Sequence, residues 1–228
     1  MSSTCTLCEP DDILVLFQVF GISTEEVPRV GKLFDVTMAH VCHGHPLPGS
    51  ANKCLTSRDV SNMYSALSLN AEAQEQTGHL RFVSKLKMLP VLHETVSRMS
   101  AQTRDDERSN FVLYSGHDTS IAALLLALDV SDSLWPPFAS RVTIELLRST
   151  SQQHYFVNII YNGQSVTGRA HWCKSKLVDG KLCPLSVFTD YISSGLLKEL
   201  GFSSYKEACS APDTGSGIFN RLQGSIMF

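Results

Sequence analysis

FVLYSGHDTSIAALLLAL, residues 111–128, joins two apolar runs through a polar hinge, and the reading of that hinge decides the fold. Phe111–Tyr114 predicts a short buried strand, closed by the turn residues Ser115 and Gly116. Ile121–Leu128 predicts a helix with its N-cap at Thr119 or Ser120. His117 and Asp118 therefore fall between the carboxyl end of a strand and the amino end of a helix. In open α/β sheets ligands bind at that place, and the free N–H groups of the helix favour an anion there.

Outward from this hinge, the 228 residues are 43% apolar and 18% charged, as in a soluble globular protein with a real core. A net charge of -3 gives no reason to expect nucleic acid or an anionic membrane as partner. The most apolar run, Ile121–Leu128, is too short to span a bilayer. The start, MSSTCTLCEPDD, is polar and acidic, so no signal peptide or membrane anchor is expected in this chain. Seven cysteines nevertheless suggest disulfides and an oxidising, secretory compartment.

Residues 11–20 and 32–42 read as helices, and a third follows the loop HGHPLPGSANK, with its cap at Thr56 or Ser57. No convincing strand lies in this first third. The spacing Leu89, Leu92, Val96, Met99 predicts an amphipathic helix. VTIELL (142–147) and HYFVNIIYN (154–162) alternate like adjacent strands, and Asn162-Gly163 predicts a tight turn. A last helix is expected over 184–198, and the tail from Ser210 shows little periodicity.

LYSGHDTS resembles the His-Asp motif of the histidine acid phosphatases. WPPFASRVTIELL resembles the segment that follows it in that family. VNIIYNGQSVT, CPLSVFTDYI and YKEAC look most like the 2-phosphoxylose phosphatase branch. The resemblance implies an α/β fold: the C-terminal part of the phosphatase core sheet flanked by helices over 89–209, a mostly helical cap segment over 1–88, and a poorly ordered tail over 210–228. It implies phosphomonoester hydrolysis without cofactor or resident metal, on a phosphate-monoester substrate such as 2-phosphoxylose of the proteoglycan linkage region, in the Golgi. By motif, His117 is the phosphate-contacting histidine and Asp118 the proton donor to the leaving oxygen, which spares expulsion of an alkoxide. A lone His-Asp pair is usually a surface or capping pair; the flanking match decides otherwise here.

The family's nucleophile lies in an Arg-His-Gly motif, and the nearest string here, GRAHWC, sets Ala170 between Arg169 and His171 and comes after the His-Asp motif. His40, His43, His45, His79, His93, His154 and His171 have no arginine-rich cradle beside them. The chain alone is thus expected to be inactive, as a fragment, an alternative transcript or a non-catalytic, oxyanion-binding relative. Loss of the strand that leads into Arg-His-Gly would also leave strand edges exposed. Resemblance further implies disulfides Cys42–Cys54 and Cys173–Cys183, with Cys209 joined to Cys8 or Cys5. The rival reading, zinc held by Cys5-x-x-Cys8 and the CHGH at 42–45, has soft ligands but no zinc-finger order in the intervening residues.

Overall fold

The computed structural model describes residues 30–50, 53–76, 78–104, 110–150 and 154–211. The expected helix at 11–20 and almost all of the tail lie outside these residues. The chain divides into two compact units, one up to Glu72 and one from Ala73. Residue 88, where the sequence reading ends the helical cap segment, lies inside the helix His79–Gln102.

In the first unit, helix α1 (Val30–Cys42) is followed by a two-residue ladder, β1 (Gly49–Ser50) against β2 (Lys53–Cys54), and by helix α2 (Ser57–Gln76), which runs past the division. Thr56 starts α2: its N–H and hydroxyl both donate to Asp59 Oδ2, at 2.7 and 2.6 Å, and Asp59 N–H returns to Thr56 Oγ1. This reciprocal cap satisfies donors that a helix start leaves open. Phe34, Leu55, Val60 and Met63 form the small core, with Met38, Leu47, Tyr64 and Leu67 around it.

The second unit is built on helix α3 (His79–Gln102), where Leu89, Leu92, Val96 and Met99 are all buried, as their spacing predicts. They pack with Leu125 and Leu128 from helix α4 (Asp118–Ala127) and its end. Strands β3 (Val142–Arg148) and β4 (Tyr155–Tyr161) pair antiparallel over their whole length. A two-residue turn leads to β5 (Gln164–Ser165), and Asn162 (φ 48°) and Gly163 (φ 85°) supply the left-handed conformations that such a turn requires. The strand β6 (Cys183–Pro184) pairs with the start of β4, on the same edge as β5. The class is mixed α/β, as expected, with an antiparallel sheet.

The last long helix runs as α5 (Leu185–Asp190), a π-helical turn (Tyr191–Gly195) and α6 (Leu196–Glu199), before the short α7 (Tyr205–Ser210). Gly195 passes close to Tyr191 within it: a Cβ there would lie 3.1 Å from that ring, so the ring would have to shift slightly.

Two expectations are corrected. Residues 111–117 adopt no regular secondary structure and belong to neither sheet; Phe111 and Leu113 are 76% and 78% exposed. A strand exists only through its neighbours, and none among the described residues supplies them. Among the cysteines, Cys173–Cys183 is a disulfide, but Cys42 and Cys209 are free, exposed thiols. Cys54 is disulfide-bonded to a cysteine other than Cys42.

Candidate functional site

His117 and Asp118 stand where the chain passes from the extended 111–116 segment into α4. The helix starts earlier than Thr119 or Ser120: His117 is itself the N-cap, with φ -111° and ψ 169°. Its carbonyl accepts from Ser120 and Ile121 N–H at 2.9 and 3.0 Å, and its own N–H reaches Ser120 Oγ at 3.4 Å. Gly116 passes close over this turn, since a Cβ on it would lie 3.1 Å from Ser120 Cβ. The motif thus caps its own helix.

Asp118 is fixed through both carboxyl oxygens. Thr119 N–H donates to Oδ1 at 2.7 Å, and the Trp135 indole N–H donates to Oδ2 at 3.0 Å. Trp135 comes from the proline-bearing loop after α4. Sequence reasoning passed over it, although a half-buried tryptophan generally needs an acceptor for its N–H. His117 is exposed and Asp118 half-buried. The arrangement offers an imidazole to solvent, with a carboxyl of set orientation next to it.

A second polar cluster lies at the other end of α4. Asp129 closes that helix in the left-handed conformation (φ 56°), with Val130 N–H returning to Leu125 C=O at 2.9 Å. Glycine is the usual residue there; here it is an aspartate, whose buried carboxylate gathers cations and a hydroxyl. Arg81 donates to Oδ1, while Lys85 Nζ (2.9 Å) and the Tyr191 hydroxyl (2.8 Å) donate to Oδ2. Lys85 is fully buried and also donates to Glu199 Oε1 at 2.8 Å. Burial, then the carboxylates of Asp129 and Glu199, push the Tyr191 hydroxyl far above its ordinary range. Its ring stacks on Trp172 at 4.6 Å.

His171 faces this cluster, with Nδ1 3.5 Å from Asp129 Oδ2 and Nε2 4.0 Å from Glu199 Oε2. Its neighbours are carboxylates, the wrong charge for cradling phosphate. Asp129, His171 and Glu199 bring ligand atoms within 4.8 Å of one another. The Lys85 ammonium already bonds both carboxylates, so the positive charge that this place calls for is present. The structure therefore separates two polar centres, one open at His117–Asp118 and one closed around Lys85–Asp129. Lys85 was legible in principle, because it continues the Leu89–Leu92–Val96–Met99 stripe by one turn.

Residues 51–162 match the sequence pattern of the histidine phosphatase superfamily, branch 2. The chain is 26% identical to a 2-phosphoxylose phosphatase 1 of Xenopus tropicalis and 27% identical to that of Homo sapiens, in each case over 84% of its length. It is 30% identical to a lysophosphatidic acid phosphatase type 6 of Pongo abelii over 56% of its length, which is 29% of that protein. It spans only 39% and 41% of the two xylose phosphatases. No helix among the described residues is long and apolar enough to cross a membrane. The matched residues contain both the His-Asp hinge and the Trp135 that holds it, so the likeness to the histidine phosphatase superfamily, branch 2, takes in the hinge and the side chain that anchors it.

Proposed function

We propose that His117 and Asp118 are the phosphate contact and the proton donor of a phosphomonoester hydrolase centre. The protein to which they contribute would act on a sugar phosphate of the 2-phosphoxylose kind, in glycosaminoglycan synthesis within the Golgi. The observation that carries this reading is the double anchoring of Asp118 by Thr119 N–H and the Trp135 indole, beside an exposed His117 at a helix start. Each carboxyl oxygen keeps a lone-pair site free, so the group can hold a proton and deliver it in a set direction. Protonating the leaving oxygen converts an alkoxide into an alcohol, an effect of roughly 10²–10⁴ in rate. A protonated His117 would neutralise charge on the equatorial phosphate oxygens, where the transition state needs donors.

Phosphoryl transfer also needs an acceptor, and the 228 residues contain no Arg-His-Gly string. That observation favours a second reading for the chain by itself, an oxyanion-binding relative without turnover. The oxidised chain, checked for folding by circular dichroism, would be assayed on p-nitrophenyl phosphate at acid pH and titrated with inorganic phosphate by ³¹P NMR. The expected result is phosphate binding that falls about tenfold or more in His117→Ala, with no turnover above the Asp118→Ala background. Binding untouched by His117→Ala would remove His117 from the site. Turnover that both substitutions abolish would show that another residue here accepts the phosphoryl group, and the incomplete-centre reading would fail.

A further inference from the structure

The end of α1 carries three histidines within six residues, and the backbone there brings them together. His45 N–H returns to His40 C=O at 2.9 Å and Gly44 N–H to Val41 C=O at 3.2 Å, with Gly44 in the left-handed conformation (φ 65°). This double closure of a helix end places the residue after the glycine against the residue five before it, and an apolar pair normally fills that contact. Here it is filled by His45 and His40, with ring centres 6.0 Å apart at 72°. His43 also stacks on His45, with ring centres 6.1 Å apart at 26°. His43 and His45 are exposed, so burial gives this contact little reason to be kept.

The chemistry of His40 gives it a purpose. Its Nδ1 lies 2.7 Å from the Pro46 carbonyl oxygen. A carbonyl can only accept, so Nδ1 carries the proton, and in the neutral ring Nε2 is left with a free lone pair. A backbone carbonyl on one imidazole nitrogen is how metal-binding histidines are commonly oriented through the other. An ion about 2.1 Å from each ring nitrogen sets neighbouring ring centres roughly 5–6 Å apart. The His40–His45 and His43–His45 spacings of 6.0 and 6.1 Å stand close to that range, and rotation of the exposed His43 and His45 side chains would bring their nitrogens round an ion held at His40.

We propose that His40, His43 and His45 form a binding site for a divalent transition-metal ion of the zinc or copper type. Three imidazoles without a carboxylate suit those ions and disfavour magnesium and calcium. The site uses none of Cys5, Cys8 or Cys42, so it differs from the zinc-finger-like reading of the sequence. It is also independent of the phosphatase reading, because it shares no residue with the His117–Asp118 hinge.

The test is calorimetric titration of the tag-free, full 228-residue chain with zinc and copper(II) salts, and with magnesium as control. The expected result is one equivalent of zinc, copper binding more tightly, and no response to magnesium. His40→Gln and His45→Gln should each weaken zinc about tenfold or more. His171→Gln, which alters the Asp129–Glu199 cluster, and Cys42→Ser should leave the zinc isotherm unchanged. Since His45 is exposed, its variant should keep the parent's circular dichroism, so lost binding can be separated from lost folding. Zinc binding that persists in a folded His40→Gln/His45→Gln double variant would overturn the proposal. So would a dependence on Cys42 or His171, or zinc binding no tighter than magnesium.

Discussion

Phe111–Tyr114 and strand β4 are both strongly apolar, and the fold treats them differently. β4 has β3 along one edge and β5 and β6 along the other, and its Val157 and Ile159 are fully buried. Phe111–Tyr114 lies in neither sheet, with all four side chains exposed. Its run of four apolar residues, without alternation, is the pattern of a strand covered on both faces. The difference teaches that an apolar pattern records the surroundings a segment suits, whereas its actual state depends on whether partners arrive. The covered region has a further fastening in Lys85, which ties α3 to Asp129 and to Glu199.

The largest effect should come from that fastening. Lys85→Ala leaves the buried Asp129 carboxylate short of a cation, and breaking a buried pair in this way costs about 3–5 kcal/mol. Urea unfolding would read it as a fall in midpoint. A midpoint unchanged within error would mean that the cluster is solvated, and the contrast between covered and uncovered regions would lose its main support. Ile159→Ala should follow, at about 2–5 kcal/mol, as a cavity in the sheet's central strand.

The alkaline limb of stability sharpens the same contrast. Tyr191 is pushed upward in the folded state, chiefly by burial and then by two carboxylates, whereas an unfolded tyrosine ionises near pH ~10. With the folded value raised, its contribution is complete below about pH 10 and is lost progressively as pH climbs above that. Unfolding midpoints between pH 9 and 11.5 should therefore fall, and Tyr191→Phe should flatten the fall while lowering the plateau.

These regions also differ in how much the sequence disclosed. The α3 stripe and the Asn162–Gly163 turn were legible because both are local: one repeats within a helix, the other needs two residues of special φ. The His-Asp hinge was legible as a motif. The grip of Trp135 on Asp118 was not, since it spans 17 residues through an irregular loop. The α3 stripe extends to Lys85, but its partners lie 44 and 114 residues away, so what neutralises it could not be read locally. The expected strand at 111–114 failed for the same reason. Its residues are apolar enough for a strand, but strand formation is decided by neighbours elsewhere in the chain. The Cys42–Cys54 pairing rested on short spacing and resemblance, which do not choose among seven thiols.

The smallest effect on stability should come from the exposed stretch, and there the expected readout is solubility. Leu113→Lys places a charge at a position 78% exposed. Nothing buried is lost, so the unfolding free energy should stay within about 0.5 kcal/mol of the parent. The same charge interrupts a flat apolar segment that can pair with another chain, which is how lysine protects exposed strand edges. Light scattering during concentration should then show the parent associating at lower protein concentration than Leu113→Lys. A variant that unfolds would place Leu113 in a packed interior, and the contrast with β4 would dissolve. A stable variant that associates as readily as the parent would keep the exposure but take self-association away from this segment. A stable and more soluble variant ties both properties to the lack of strand neighbours, which β4 has and Phe111–Tyr114 does not.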